Sequence, residues 1–569
     1  MTLGAFHIIV KGNKTKYTFN YPDRNGETRN IMPDLTSVEP SLQPISEKIK
    51  EGDKVEFDIA NGKAYNVRPV GSDWRGPEPD AGKDKMGDFH NPYNFIPTPS
   101  RENYVGDLGD GNPRGHHVYH EDCYSGRIRV KMTTVTPLIV PDTAKVDPNI
   151  EHKKYDPLLD EKGLPIVPPT SIKGMLRAAF EAVTNSRMGV FAGSYEIRSK
   201  REQRERRQEK EDVTAHIDES LLPATEMSQL SPADRVFGWV GQEGKAKSAY
   251  RGNLRVGHVR CLEDCPQKAL DTFDDGLPLA ILGQPKPQQG RFYMAQNTNG
   301  DPVGKGVDKE KAGYGGKNYL RGRKVYPHHG HLVVLDGYWD NPMEDRTQKA
   351  INGFFQEYRQ PRANDEEQRT SQNRSITGWV RPKVAFEFDL WVDNLSKFEL
   401  GALLWLLSLK ENHCHRLGGA KPLGLGSVRL EIDRAQTQLA TGQDMKARYQ
   451  SLTDLDGGLW PKTADEENVI DGAIEAYKSA IASTNDKEFE KVSYIAAFRR
   501  AAKGYDNKLP VHYPRARQSN QQEGKPAPPN PNGESFKWFV FNEGDPNNRY
   551  CLPDIRKDAG LPILSPPKK

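Results

Sequence analysis

Long apolar runs are missing from this chain. No stretch of 18 apolar residues occurs, and about 20 are needed for a helix to cross a bilayer, so no membrane-spanning helix is expected. Cysteine is scarce. Five in 569 residues are too few for a disulfide framework, which points to a reducing cytoplasm. Met1-Thr2-Leu3-Gly4 shows no charged segment leading into an apolar one, so no secretory signal is expected. Charge of one sign is not in excess either. The formal net charge is +3, and total charge therefore does not announce a polyanionic partner. Hydrophobic residues make up only 35% against 28% charged, but 9% aromatics argue against a disordered chain. The 51 glycines and 42 prolines assign the polar excess to long loops and insertions. A chain of this length should hold two to four units.

Residues 1–75 read as a small β unit. Phe6–Val10, Lys54–Ile59 and Lys63–Val67 carry alternating or β-branched residues between Gly-Asp and Asn-Gly turns. The stretch from Ile49 to Val67 resembles the last two strands of a cold-shock-type OB barrel. Residues 76–122, rich in Gly, Pro, Asp and Asn, are expected to be a loop or linker. From 123 to 435 the pattern changes. Ile128, Val130 and Met132 alternate with Arg127, Arg129 and Lys131, a half-buried strand with one basic face. Ile172, Met175, Leu176, Ala179, Phe180 and Val183 form the stripe of a helix over 171–186. Strands follow at 253–259 and 384–390. Ser396-Lys397-Phe398-Glu399 is a capping box opening an apolar helix to about 409, and Val428, Leu430 and Ile432 form a last strand. The order strand, helix, strand, strand, helix, strand predicts an α+β core, ferredoxin-like or RRM-like, with insertions at 187–250 and 261–380. The charged run 198–212 is expected to be a solvated helix or a mobile insert. Residues 436–569 are expected to form a helical and irregular extension, with helices near 465–482 and 488–503 and an aromatic strand at Phe536–Phe541.

Two motifs carry most of the chemistry. Pro165-Ile166-Val167-Pro168-Pro169-Thr170-Ser171-Ile172-Lys173-Gly174-Met175-Leu176-Arg177 opens the first helix. Lys173 and Arg177, four apart, share one helix face, near free N–H groups that suit a phosphate. The second motif is His413-Cys414-His415-Arg416-Leu417-Gly418-Gly419-Ala420-Lys421-Pro422-Leu423-Gly424-Leu425-Gly426-Ser427. Its glycines allow close backbone approach to phosphate. It is no Walker A loop, because Gly-Lys-Ser/Thr is absent. The segment 301–331 is locally basic and interleaves Tyr314, Tyr319 and Tyr326 among Arg321, Arg323 and Lys324, an arrangement that suits single-stranded nucleic acid. His328, His329 and His331 follow as possible acid–base groups or ligands. Cys261 with Cys265, and His116, His117 and His120 with Cys123, are incomplete zinc sets, so zinc is not expected.

Both motifs resemble those of the RAMP (repeat-associated mysterious protein) superfamily of CRISPR-associated proteins. Its first helix opens with Pro-x-Ile-Pro-Gly-Ser-Ser-x-Lys-Gly-x-x-Arg, and its glycine loop reads Gly-x-Gly-Lys-Pro-Leu-Gly-x-Gly, where this chain has Ala420 before the lysine. Asp234–Gly238 leading to Gly252–Val256 looks like the superfamily's Leu-Phe-Gly segment running into a strand, and His90–Phe95 and Leu320–His328 look like one long, insertion-bearing family of type III loci. The resemblance implies a backbone subunit of a type III effector complex in a prokaryotic cytoplasm. Its partners would be a CRISPR guide RNA, a target RNA and other effector subunits. The RNA contacts would be Lys173, Arg177, Arg235, Arg255, Arg321, Arg323, Lys324, His328, Arg416, Gly418, Gly419 and Lys421. Catalytic relatives carry an Asp before the first helix and use a divalent metal such as magnesium. Here the aligned position falls near His152-Lys153, leaving Asp147 as the candidate acid and His152 as an alternative base. Two other readings stay open: a guide-precursor endoribonuclease of the same superfamily, and a general OB-type RNA chaperone.

Overall fold

A computed structural model describes the chain except residues 1, 12–13, 23–26, 34–37, 43–44, 61–62, 73–86, 190–193, 198–208, 242–247, 284–288, 334, 336, 352, 451–465, 519–526, 531–534 and 567–569. Contacts divide it into two units, Met1–Gly87 and Asp88–Lys569. In the first, β1 (Thr2–Lys11), β2 (Lys14–Pro22), β3 (Thr28–Pro33), β4 (Lys54–Ala60) and β5 (Lys63–Pro69) close into a barrel in the order β1-β2-β3-β5-β4. Alternation puts Phe6, Phe19, Phe57 and Val67 inside it.

The second unit is built on β6 (Cys123–Thr134), α1 (Pro169–Val183), β7 (Leu254–Val256), β8 (Leu270–Pro278), β9 (Ser375–Val380), β10 (Ala385–Ser396), α2 (Lys397–Leu407) and β11 (Ser427–Ile432). An antiparallel sheet runs β7-β10-β6-β11. Ile128, Val130 and Met132 of β6 face α1 and α2 and are fully buried. On the other face the expected basic stripe is neutralised in part. The Arg129 guanidinium donates to both Asp389 oxygens, at 2.6 and 3.1 Å, from the neighbouring strand.

Every residue of α2 after Lys397 is buried, so the helix is apolar all round rather than striped. Its outer side is covered by α3 (Glu466–Asn485), so closely that a Cβ on Gly401 would lie 1.9 Å from the Ala473 carbonyl oxygen. The capping box forms: Ser396 Oγ accepts from the Glu399 N–H at 3.3 Å, and Glu399 Oε2 accepts from the Ser396 N–H at 3.1 Å. Replacing Ser396 by Ala removes one half of it, and an equilibrium urea melt should show a loss of about 1 kcal/mol. An unchanged midpoint would mean that packing alone fixes this helix start.

Several expectations change. The sequence 536–541 is no strand but part of α5 (Ser535–Gly544), behind α4 (Ser493–Lys503) in the chain. Trp538, Phe539 and Asn542 are buried while Phe536 and Val540 are exposed. That is helical spacing, which a six-residue aromatic run conceals. Most of the charged run 198–212 lies outside the described residues, and Glu209–Asp212 is a strand paired with Ser194–Ile197. The insertion at 261–380 is packed rather than loose: β8 pairs with β9, and Phe273, Tyr338, Tyr358 and Trp379 share a hydrophobic cluster with Ile139, Leu423 and Leu425. From Asp88 onward the polar stretch that looked like a loop packs into the second unit. Phe89 and Ile96 are fully buried, and the Asn91 side chain donates to the Tyr93 carbonyl oxygen at 2.7 Å. Among the described residues no helix is long and apolar enough to cross a membrane.

Candidate nucleic-acid interface

The glycine loop returns the chain from α2 to β11 next to residues 137–139. The Leu417 N–H donates to the Gly426 carbonyl oxygen at 2.7 Å, the Gly426 N–H to that of Pro137 at 2.8 Å, and the Gly419 N–H to that of Ile139 at 2.9 Å. Gly418, Gly424 and Gly426 have φ of 75°, 90° and 79°, where a side chain is strained. Ala420 keeps a left-handed φ of 52° at the position where the resembling loop has glycine. Arg416 sits inside the loop, donating to the Lys421 carbonyl oxygen at 2.6 Å and to Ser427 Oγ. His328 Nδ1 meets the same hydroxyl at 2.7 Å.

A cleft of about 940 Å³ opens beside this loop. It is bounded by Ser171–Ala182 on α1, Cys414–Lys421 of the loop, residues 320–326 of the insertion, and Phe498, Ala501 and Ala502 on α4. Four segments far apart in sequence thus share one wall system. Lys421 and Lys324 both line it, and no carboxylate among the described residues pairs with either. Burial lowers the pKa of both ammonium groups, and Arg416 adds to the effect on Lys421. Lys324 Nζ lies 4.1 Å from the Tyr93 ring centre, a cation–π contact.

The remaining candidates divide sharply. Arg321 is buried, its guanidinium donating to the Leu552 and Pro553 carbonyl oxygens. Arg323 donates to Asn185 Oδ1 and the Ser186 carbonyl oxygen, although it also borders the cleft. Arg177 pairs with Glu181 at 2.9 Å and Asp234 at 3.1 Å. Arg235 pairs with Glu399 at 2.7 Å and donates to three backbone carbonyls. Lys173 Nζ donates to the Leu254 carbonyl oxygen at 3.0 Å. These cations bind the insertion, α1 and the segment before β7 to one another. Arg255 is exposed on β7 opposite Trp391, outside the cleft lining. His328 and His329 are buried, and burial drives the His328 ring down to a pKa of about 3, with Arg416 adding to the effect.

Asp147 is exposed, with Oδ1 accepting from the Asn149 N–H at 2.8 Å. His152 is held at both ring nitrogens, by the Thr370 carbonyl oxygen at 3.0 Å and Ser375 Oγ at 2.8 Å. Neither lines the cleft. Among the described residues no three His, Cys, Asp or Glu side chains gather to hold a metal. His116 and His120 instead meet the backbone carbonyls of Arg251 and Arg114, and burial pushes the Cys123 thiol up to about 11. Tyr293, Phe498 and Ala178 are cleft residues that sequence reading did not single out. The small residues Ala178, Ala179 and Ala182 on α1 were the available signal, since they leave room beside a helix.

Residues 131–429, more than half of the chain, match the family described as the RAMP superfamily. The chain belongs to that superfamily. No match was found among curated proteins. Among solved structures, a chain of a Type IV-B CRISPR complex is similar at 13% identity with a TM-score of 0.22, over 60% of this chain and 96% of that one. The family assignment rests on the sequence match alone.

Proposed function

We propose that this protein is a guide-RNA-binding backbone subunit of a type III CRISPR effector complex, with the cleft as the seat of the RNA. The observation that carries the reading is the convergence of α1, the glycine loop and the basic insertion on that cleft, with Lys324 and Lys421 along it paired with no carboxylate among the described residues. In this reading the sheet is a ferredoxin-like, RRM-like core, for which the order β7-β10-β6-β11 is the second, third, first and fourth strand of the core. The N-terminal barrel is an OB-like unit, and its strand order is compatible with that. Other effector subunits and a target RNA complete the assembly in a prokaryotic cytoplasm. The described residues offer no metal cluster, so the proposal stops at binding and derives no cleavage step.

The test is RNA affinity as a function of salt. A single-stranded oligonucleotide should bind with a steep salt dependence. Lys324→Ala and Lys421→Ala should each weaken binding and lower the magnitude of the negative slope of log affinity against log salt by roughly 0.7. Slopes equal to that of the unsubstituted chain would take both lysines, and with them the cleft, out of the RNA path.

A further inference from the structure

The floor of the cleft is apolar rather than ionic. Met175, Ala178 and Ala182 of α1 line it together with Leu417, Phe498 and Ala501. A phosphate backbone gains nothing from such a surface, whereas the flat faces of unpaired bases do, especially beside aromatic rings. Tyr293 and Tyr326 stand on the insertion side and are only partly buried. The Lys324 ammonium lies 5.7 Å from the Tyr326 ring centre, so an aromatic face and a cation adjoin at one edge of the cleft. Lys421 of the glycine loop lines the same cleft. Glu181 is the one carboxylate among the described lining residues, against Arg321, Arg323, Lys324, Arg416 and Lys421. The balance favours an anionic ligand with apolar, planar parts. A volume of about 940 Å³ is near the top of the roughly 300–1,000 Å³ range of small-ligand sites, far more than an ion or one phosphate requires.

We infer that the cleft takes unpaired nucleotides of single-stranded RNA base-first, the bases resting on the α1 floor against Tyr326 and the phosphates staying outside at Lys324 and Lys421. The inference rests on the RNA reading of the cleft and adds what part of the RNA enters it. Every base has a π face, so recognition by stacking tolerates sequence. Affinity should therefore depend on the presence of bases rather than on their identity.

The experiment compares two probes of equal charge on the full chain: a labelled octauridylate, and an octamer of abasic ribose phosphates. Octauridylate should bind about tenfold tighter or more, as aromatic–base stacking gives. Tyr326→Ala should bring it down to the level of the abasic probe, while Tyr326→Phe keeps the preference. Ala178→Trp is the second variant. It fills the cleft from an exposed helix position, removes no charge, and should also abolish the preference. Equal, salt-sensitive binding of both probes by the unsubstituted chain would overturn the inference and leave the RNA reading standing, with the backbone lying across the rim. Failure of both probes to bind would overturn the two together. A preference that survives both Tyr326→Ala and Ala178→Trp, with unfolding curves unchanged, would put the bases elsewhere and overturn the inference.

Discussion

Gly426→Ala should destabilise the second unit by about 3 kcal/mol or more and take RNA binding with it. Two terms add. The left-handed φ of 79° costs a residue with a Cβ about 1 kcal/mol or more. The Cβ would also lie 1.9 Å from the Leu417 carbonyl oxygen, a backbone atom that no rotamer change can move. The loop can admit it only by parting the 2.7 Å hydrogen bond from Leu417 to Gly426, next to Arg416 and Gly418. Gly174, the glycine of the other motif, provides the contrast. A Cβ there meets nothing within 4 Å, and the residue lies within α1. Gly174→Ala should therefore stabilise by roughly 0.5–1 kcal/mol through helix propensity. Denaturant midpoints of the two variants, with oligonucleotide binding measured on each, check the pair. A Gly426→Ala protein that melts with the unsubstituted chain would show that the loop relaxes freely.

Acid should destabilise the second unit already above the pH at which carboxylates usually titrate. Burial, the largest cause for each, lowers His90 to a pKa of about 4, His328 to about 3 and His331 to about 4. For His90 a 2.7 Å hydrogen bond to Asn507 offsets part of that. For His328 the Arg416 guanidinium adds to it. Above pH 6.5 these rings are neutral in both folded and unfolded chains, and nothing is lost. Below 6.5 the unfolded rings take up protons that the buried rings refuse, so stability falls as pH drops towards the folded values. Between pH 7.5 and 5 each such histidine removes about 2 kcal/mol. His90 and His328 alone then remove about 4 kcal/mol, a large part of the 5–15 kcal/mol typical of a whole domain. Guanidinium melts at pH 7.5, 6 and 5 read the effect directly. A midpoint that stays constant over that range would mean that the rings are protonated in the folded protein, against their burial.

Local chemistry made the sequence legible where it acts over a few residues. The capping box at Ser396, the apolar stripe of α1, the alternation of β6, and the glycines that need positive φ all depend on neighbours in the chain, and all are where the pattern set them. The two motifs were legible for the same reason, and the superfamily match over residues 131–429 agrees with them. Charge was the signal that sequence leaves open. Arg177, Arg235, Arg321 and Arg323 read as a basic surface, yet each guanidinium finds carboxylates or backbone carbonyls inside the fold. An arginine in sequence carries the same charge whether its partner is RNA or Glu399, and that partner lies more than a hundred residues away. Phe536–Phe541 failed for a related reason, because an aromatic run fits a strand or a helix until the core chooses which rings to cover. The sequence by itself determined the order of the main strands and helices from β6 to β11, the capping box at Ser396 and the glycine turns. The tertiary structure alone decided which cations remain unpaired beside the cleft, and that its floor is apolar, because both depend on contacts between α1, α4, the loop and the insertion that no local pattern encodes.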